Sequence, residues 1–191
     1  MSNRSAGRPA GPSTARQDIL DAAVHLFAER GYDRTTLRAV TDTAGVDVAL
    51  VKHYFGGKEG LFDEAVTRDA DQSFALLDRL QDPTPPDART VAGAYLRIWE
   101  TEKTANVVKA LFRSALESEE RREKLQELVA ERLAATGERN TPDDTRRVQL
   151  LSAHLMGVGI VRYLLKFSPV TDLTHEEMVA DLAPVIERYL P

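Results

Sequence analysis

The sequence predicts an all-α fold of about nine helices, and three observations carry that expectation. Apolar residues recur three and four apart along most of the chain, and no strand-like alternation appears. Glycine and proline punctuate the periodic stretches at Gly31, Gly45, Gly56-Gly57, Pro83, Pro85-Pro86, Pro142 and Pro169. The 191 residues provide for a small helical module and a second, sizeable core. With no cysteine, disulfides, thiolate metal sites and cysteine nucleophiles are excluded.

The first ordered element should open at Thr14, where Thr14-Ala15-Arg16-Gln17 reads as a capping box. Ile19, Ala23, Leu26 and Phe27 form its inner stripe, and Gly31 ends it. Thr36 can cap the next helix, with Leu37, Val40 and Ala44 on one face. Gly45 sits where a helix end needs positive φ, and Val46 can turn inward. Asp47 is a good N-cap for a short third helix running from Val48 to about Tyr54. Val51 and Phe55, four apart, are its buried stripe. Val48, Ala49, Lys52 and His53 then share the opposite side, near the helix start. This is a helix-turn-helix, whose second helix can lie in the major groove of DNA.

The order T-T-L-R, A-G-V, Y-F and G-G-K-E-G-L-F closely resembles the tetracycline-repressor (TetR) family of bacterial transcription regulators. Residues 16–32, ending A-A-V-H-L-F-A-E-R-G-Y, match the helix that precedes this motif in the family. The resemblance covers roughly the first third of the chain. A weaker likeness to the C-terminal domains of actinobacterial members begins at Phe112, with R-S-A-L and later G-V-G-I-V-R-Y-L-L. It implies a homodimer on a palindromic operator, most simply a repressor that releases DNA on binding a small molecule.

Residue by residue, Thr36 and Lys58 stand at helix N-termini and are placed as phosphate clamps. Tyr54 occupies the aromatic-or-histidine position before the family's buried phenylalanine, so it too can contact phosphate. Lys52 departs from the family's usual tyrosine, and can bond guanine or neutralise a phosphate. Val48 and Ala49 offer apolar contacts suited to thymine methyls. Direct readout by such a helix is thin, so DNA shape should carry part of the specificity. Ahead of this module, residues 1–13 are rich in Gly, Pro, Ser and Ala and should form a disordered arm. Its Arg4 and Arg8 can reach an adjacent minor groove or simply remain solvated.

After Gly57 the pattern changes into a long helix through Leu61, Phe62, Ala65, Val66, Leu76, Leu77 and Leu80, broken by the proline run at 83–86. Further helices are expected over 87–101, 103–117, 119–136, 143–167 and 174–189. Val148, Leu151, Leu155, Val158, Val161 and Leu165 make the fourth of these apolar over much of its circumference. The last carries Leu182, Val185, Ile186 and Tyr189 at helical spacing. Two such helices from each of two subunits form a natural four-helix dimer interface. The domain reading is therefore an arm at 1–13, a DNA-binding domain at 14–61, and an effector-binding and dimerisation domain at 62–191.

An effector pocket in that second domain should be mostly apolar with a few polar groups. Phe74, Tyr95, Trp99, Phe112, Met156 and Tyr163 are candidate walls, and Asn106, Arg113 and His154 candidate anchors. The mixture suggests an uncharged or weakly polar small molecule.

The net charge is −5, but residues 1–60 carry +1 and the remainder −6. Phosphate binding would rely on a local patch of Arg4, Arg8, Arg16, Arg34, Arg38, Lys52 and Lys58. A non-specific nucleic-acid coat would want a broadly positive surface. The four histidines show no metal-ligand spacing, and neither a phosphate-binding glycine loop nor a G-x-S-x-G elbow is present. Neither enzyme chemistry nor a cofactor is expected. No apolar run approaches a membrane span in this reading, and the N-terminus lacks a secretory core, so a cytoplasmic protein is expected with no membrane partner. The alternative is a helical interaction protein whose DNA binding is lost or accessory.

Overall fold

A computed structural model describes residues 12–79, 87–134 and 142–189, with side chains over 14–68, 87–130, 143 and 146–189. The described residues form nine α-helices in the order α1 (Pro12–Arg30), α2 (Leu37–Ala44), α3 (Ala49–Phe55), α4 (Lys58–Arg79), α5 (Ala88–Glu100), α6 (Glu102–Glu117), α7 (Glu119–Ala134), α8 (Pro142–Gly159) and α9 (His175–Tyr189). The remainder of the expected arm, the proline break at 83–86 and the side chain of Phe74 lie outside the described residues.

Two boundaries differ from the sequence reading. The first helix starts at Pro12, two residues ahead of the Thr14 capping box and within the stretch expected as arm. Proline is at home in a first helical turn, where its missing N–H has no partner to lose. The helix expected over 143–167 ends as an α-helix at Gly159 and continues as a π-helical segment, Ile160–Leu165, which stops at Lys166 in the left-handed conformation. The side chains of Arg162 close this turn by donating to the carbonyls of Val170 and Leu173. Apolar periodicity is insensitive to that change of winding.

Two apolar clusters hold the chain together. The first gathers Ile19, Leu20, Ala23 and Phe27 of α1, Val40 of α2, Val51 and Phe55 of α3, and Leu61, Phe62 and Ala65 of α4. It closes with Val107, Ala110 and Leu111 of α6, so it extends well beyond the first three helices. The second joins Val91, Tyr95, Leu96 and Trp99 of α5 to Leu151 and Leu155 of α8 and to Met178, Val179, Leu182 and Ile186 of α9. Val108 of α6 belongs to this second cluster, between two residues that belong to the first. Helix α6 is thus shared between the cores.

The stripe on α9 turns out to serve its own subunit. Leu182 and Ile186, expected at the dimer face, are buried against α5, while Val185 and Tyr189 are half-buried. On α8 and beyond, Leu150, Met156, Leu165 and Phe167 are exposed. The stretch Arg146–Leu165 is in fact long and apolar enough, by length and composition, to cross a membrane, contrary to the sequence reading. Little of that stretch is buried within the chain.

The start of α9 is fixed by reciprocal capping. Glu177 accepts hydrogen bonds from the Thr174 N–H (2.7 Å) and hydroxyl (2.8 Å), and the Glu177 N–H donates to the Thr174 hydroxyl oxygen (3.2 Å). The backbone donor and then the hydroxyl hold the Glu177 carboxyl below its ordinary pKa. A lowered folded-state pKa means that this contribution is present above the ordinary value of 4.5 and is lost as pH falls through the folded value. A carboxyl NMR titration should therefore find Glu177 titrating below 4.5. A midpoint at or above that value would mean the box is open.

Candidate nucleic-acid interface

The second and third helices are short, so their ends govern their direction. Thr36 caps α2, its hydroxyl oxygen accepting from the Ala39 N–H at 3.1 Å. Gly45 closes it at φ 69°, and the Val46 N–H returns to the Thr41 carbonyl at 3.0 Å. A side chain here would cost about 1–2 kcal/mol in the left-handed region. Asp47 then caps α3 through a 2.7 Å hydrogen bond from the Ala49 N–H. Val48 already has helical φ and ψ, one residue before α3 proper.

This geometry separates α3 into two faces. Val51 and Phe55 are buried against the first core, whereas Val48, Ala49, Lys52 and His53 are exposed. Val48 keeps half its surface. Tyr54 is half-buried, with its ring against His53 and Phe55. Among the described residues no hydrogen bond or ion pair restrains Lys52, which leaves its ammonium available to a ligand. The exposed set expected from the sequence is thus brought together on one helical face.

The wider cationic patch is sparser than the sequence suggests. Arg16 pairs with Glu64 and lies over the Phe55 ring. Arg34 donates to the Arg30 carbonyl at 2.8 Å, and Arg38 stands 4.0 Å from Asp42. Arg4 and Arg8 lie outside the described residues. Lys58 is turned inward. Its ammonium sits 4.3 Å from the centre of the Tyr32 ring and donates to the Asp33 carbonyl at 3.2 Å. Burial lowers the Lys58 pKa, against the opposing attraction of Asp33. Its first role is to fasten α4 to the turn between α1 and α2.

That turn is also held from a distance. Glu117, the last residue of α6, accepts hydrogen bonds from the N–H groups of Tyr32 (2.9 Å) and Asp33 (3.1 Å). Arg121 of α7 pairs with Asp33 at 3.0 Å and lies 3.9 Å from the Tyr32 ring centre. Lys124 reaches Glu59 and Asp63 at 3.0 and 3.4 Å. Tyr32 itself stacks on Phe27 and meets Phe62 edge-on. Sequence reasoning missed Glu117, Arg121 and Lys124, because partners more than sixty residues apart leave no local spacing signal.

The candidate effector residues divide. Trp99 is buried and stacks on both Phe112 (6.0 Å) and Tyr163 (5.5 Å), with Arg113 next to Phe112 on α6. Burial raises the Tyr163 pKa to about 12, aided by its 2.9 Å hydrogen bond to Glu100. Tyr95 is committed to the core by a hydrogen bond to the Leu155 carbonyl, and burial raises its pKa. Asn106 borders an open groove with Gln17, Asp21 and His25, away from the aromatic stack. His154 and Met156 are exposed on α8, where the His154 ring approaches Tyr189 at 5.2 Å.

Gly31 offers a direct check of the long-range clamp. It has φ 82°, and a Cβ there would stand 1.9 Å from the Glu117 Oε1. Gly31→Ala should cost about 1–2 kcal/mol in backbone strain, with a further loss as the carboxylate is displaced. In chemical denaturation, Gly31→Ala combined with Glu117→Ala should cost less than the sum of the singles. Strict additivity would show that Glu117 does not grip this turn.

Comparison with known proteins agrees with the geometry. Residues 19–65 match the model of bacterial regulatory proteins of the tetR family, and residues 88–190 match the tetracyclin repressor-like C-terminal domain. The HTH-type transcriptional repressor KstR2 of Mycolicibacterium smegmatis is 27% identical over 92 residues, covering 48% of this chain and 45% of that protein. The chain thus spans about half the length of the curated relatives it matches in this way. The HTH-type transcriptional regulator BetI of Agrobacterium fabrum is 27% identical over 177 residues, covering 87% of this chain and 84% of BetI. In solved structures, a TetR-family regulator from Streptomyces coelicolor A3 superposes with a TM-score of 0.62 at 26% identity, covering 97% of this chain and 99% of that one. With both halves of its fold matched, the chain belongs to the TetR family of bacterial regulatory proteins.

Proposed function

We propose that this protein is a sequence-specific DNA-binding transcriptional regulator, a homodimeric repressor that leaves its operator when a small molecule binds. Members of its family are typically ligand-responsive, DNA-binding homodimers and not enzymes. The observation that carries the reading is the face of α3: Val48, Ala49, Lys52 and His53 are exposed together while Val51 and Phe55 anchor the helix from behind. A face of that size, with one unrestrained lysine, suits a major groove.

In this reading residues 14–61 form the DNA-binding domain and 62–191 bind effector and partner subunit. Thr36, Tyr54 and the N-terminus of α4 near Lys58 lie toward phosphate, with Val48 and Ala49 against thymine methyls. The exposed Leu150, Met156, Leu165 and Phe167 are covered by a second copy, which accounts for a helix otherwise apolar enough for a bilayer. Because the α9 stripe is already used internally, α9 contributes to that interface through Val185, Tyr189 and its outer face. Such a dimer acts in the cytoplasm, with its two reading helices about 34–36 Å apart. Effector binding favours a conformer with a different separation and so shifts the population off DNA.

Selection from a random duplex library tests this directly. The full chain should enrich an inverted repeat, and Lys52→Ala should weaken its binding about tenfold or more. Binding that follows salt alone, with no enriched sequence, would favour a helical interaction protein instead.

A further inference from the structure

Helix α6 carries a feature that DNA reading does not use. Lys109 and Arg113 are four residues apart, hence on one helical face, and both are half-buried. Like charges so placed destabilise a helix. Neither is paired with an acidic group among the described residues. The Arg113 Nε is buried with no hydrogen-bond partner, an expensive state for a guanidinium. Phe112 lies beside them and stacks on Trp99, which also stacks on Tyr163. Three residues beyond Tyr163, Lys166 occupies the left-handed cap of the π-helical segment at φ 57°. Burial, followed by the charges of Lys166 and Arg113, lowers the Lys109 pKa.

We propose that Lys109 and Arg113 form the head-group site for a small amphipathic anion, whose apolar body lies against the half-buried Phe112 between them. A carboxylate, sulfonate or phosphate would give the buried Arg113 Nε an acceptor and relieve the two like charges at once. The Phe112 ring, half-buried on the same helical face, would take a planar or alicyclic body. This departs from the uncharged effector expected from the sequence. It rests on the regulator reading only for its consequence, that such an anion is the effector class.

Two fluorescent probes of similar shape separate charge from greasiness. The anion 1-anilinonaphthalene-8-sulfonate carries a sulfonate, and N-phenyl-1-naphthylamine is its uncharged counterpart. The single tryptophan, Trp99, reports binding by quenching. With the full chain, Lys109→Gln combined with Arg113→Gln should weaken the sulfonate probe about tenfold or more and leave the neutral probe unchanged. Unchanged sulfonate binding, or equal loss of both probes in a variant of native helicity, would overturn the site. The sulfonate probe should then release the selected operator over the concentrations at which it binds. Release absent while binding persists would overturn the effector role and leave the site standing. A chain that binds no operator even without probe would instead refute the regulator reading, while the probe titration still decides the site.

Discussion

Neither apolar core is complete without α6. Val107, Ala110 and Leu111 fill the core beneath the helix-turn-helix, and Val108 turns the other way into the core of α5, α8 and α9. Burying each such aliphatic side chain is worth about 1.5–3 kcal/mol, so removing the helix would open both cores at once. The same helix ends in Glu117, whose carboxylate ties down the turn between α1 and α2. The position of the helix-turn-helix is therefore a property of the body.

This dependence has a simple origin in the size of α3. Seven residues are too few for a helix to persist in water on its own, so its direction comes from the packing of Val51 and Phe55 and from its caps. Those contacts rest on α1 and α4, which rest in turn on α6 and the α7 cations. A ligand bound against α6 need only favour one placement of that helix to bias the head. Tyr32 stands at the joint, held by Phe27 and Phe62 on one side and by Lys58 and Arg121 over its ring.

Much of the head was legible in the sequence because its signals are local. Thr36, Gly45 and Asp47 act within four residues of themselves, and the four-residue step from Val51 to Phe55 fixes which face is free. What was not legible is equally physical, because it is nonlocal. Lys58 reads as a phosphate clamp from its place at a helix start, but only the folded chain brings the Tyr32 ring and the Asp33 carbonyl to its ammonium. The apolar stripe of α9 shows that the helix is buried on one side without showing against what, and the answer is α5. The change from α to π winding after Gly159 leaves no mark on a periodicity of three and four. Around Trp99 the aromatic identities were readable, while the stacking of Phe112 and Tyr163 on it depends on tertiary structure.

Native-state hydrogen exchange on the full chain, with and without Leu111→Ala, addresses the shared helix most directly. If α6 unites the two cores, core amides of α1 and α3 and those of α5 and α9 should lose protection together, by about 2–5 kcal/mol for this leucine-to-alanine change. Loss confined to the helix-turn-helix, with α5 and α9 as protected as before, would show two independent units and contradict the account.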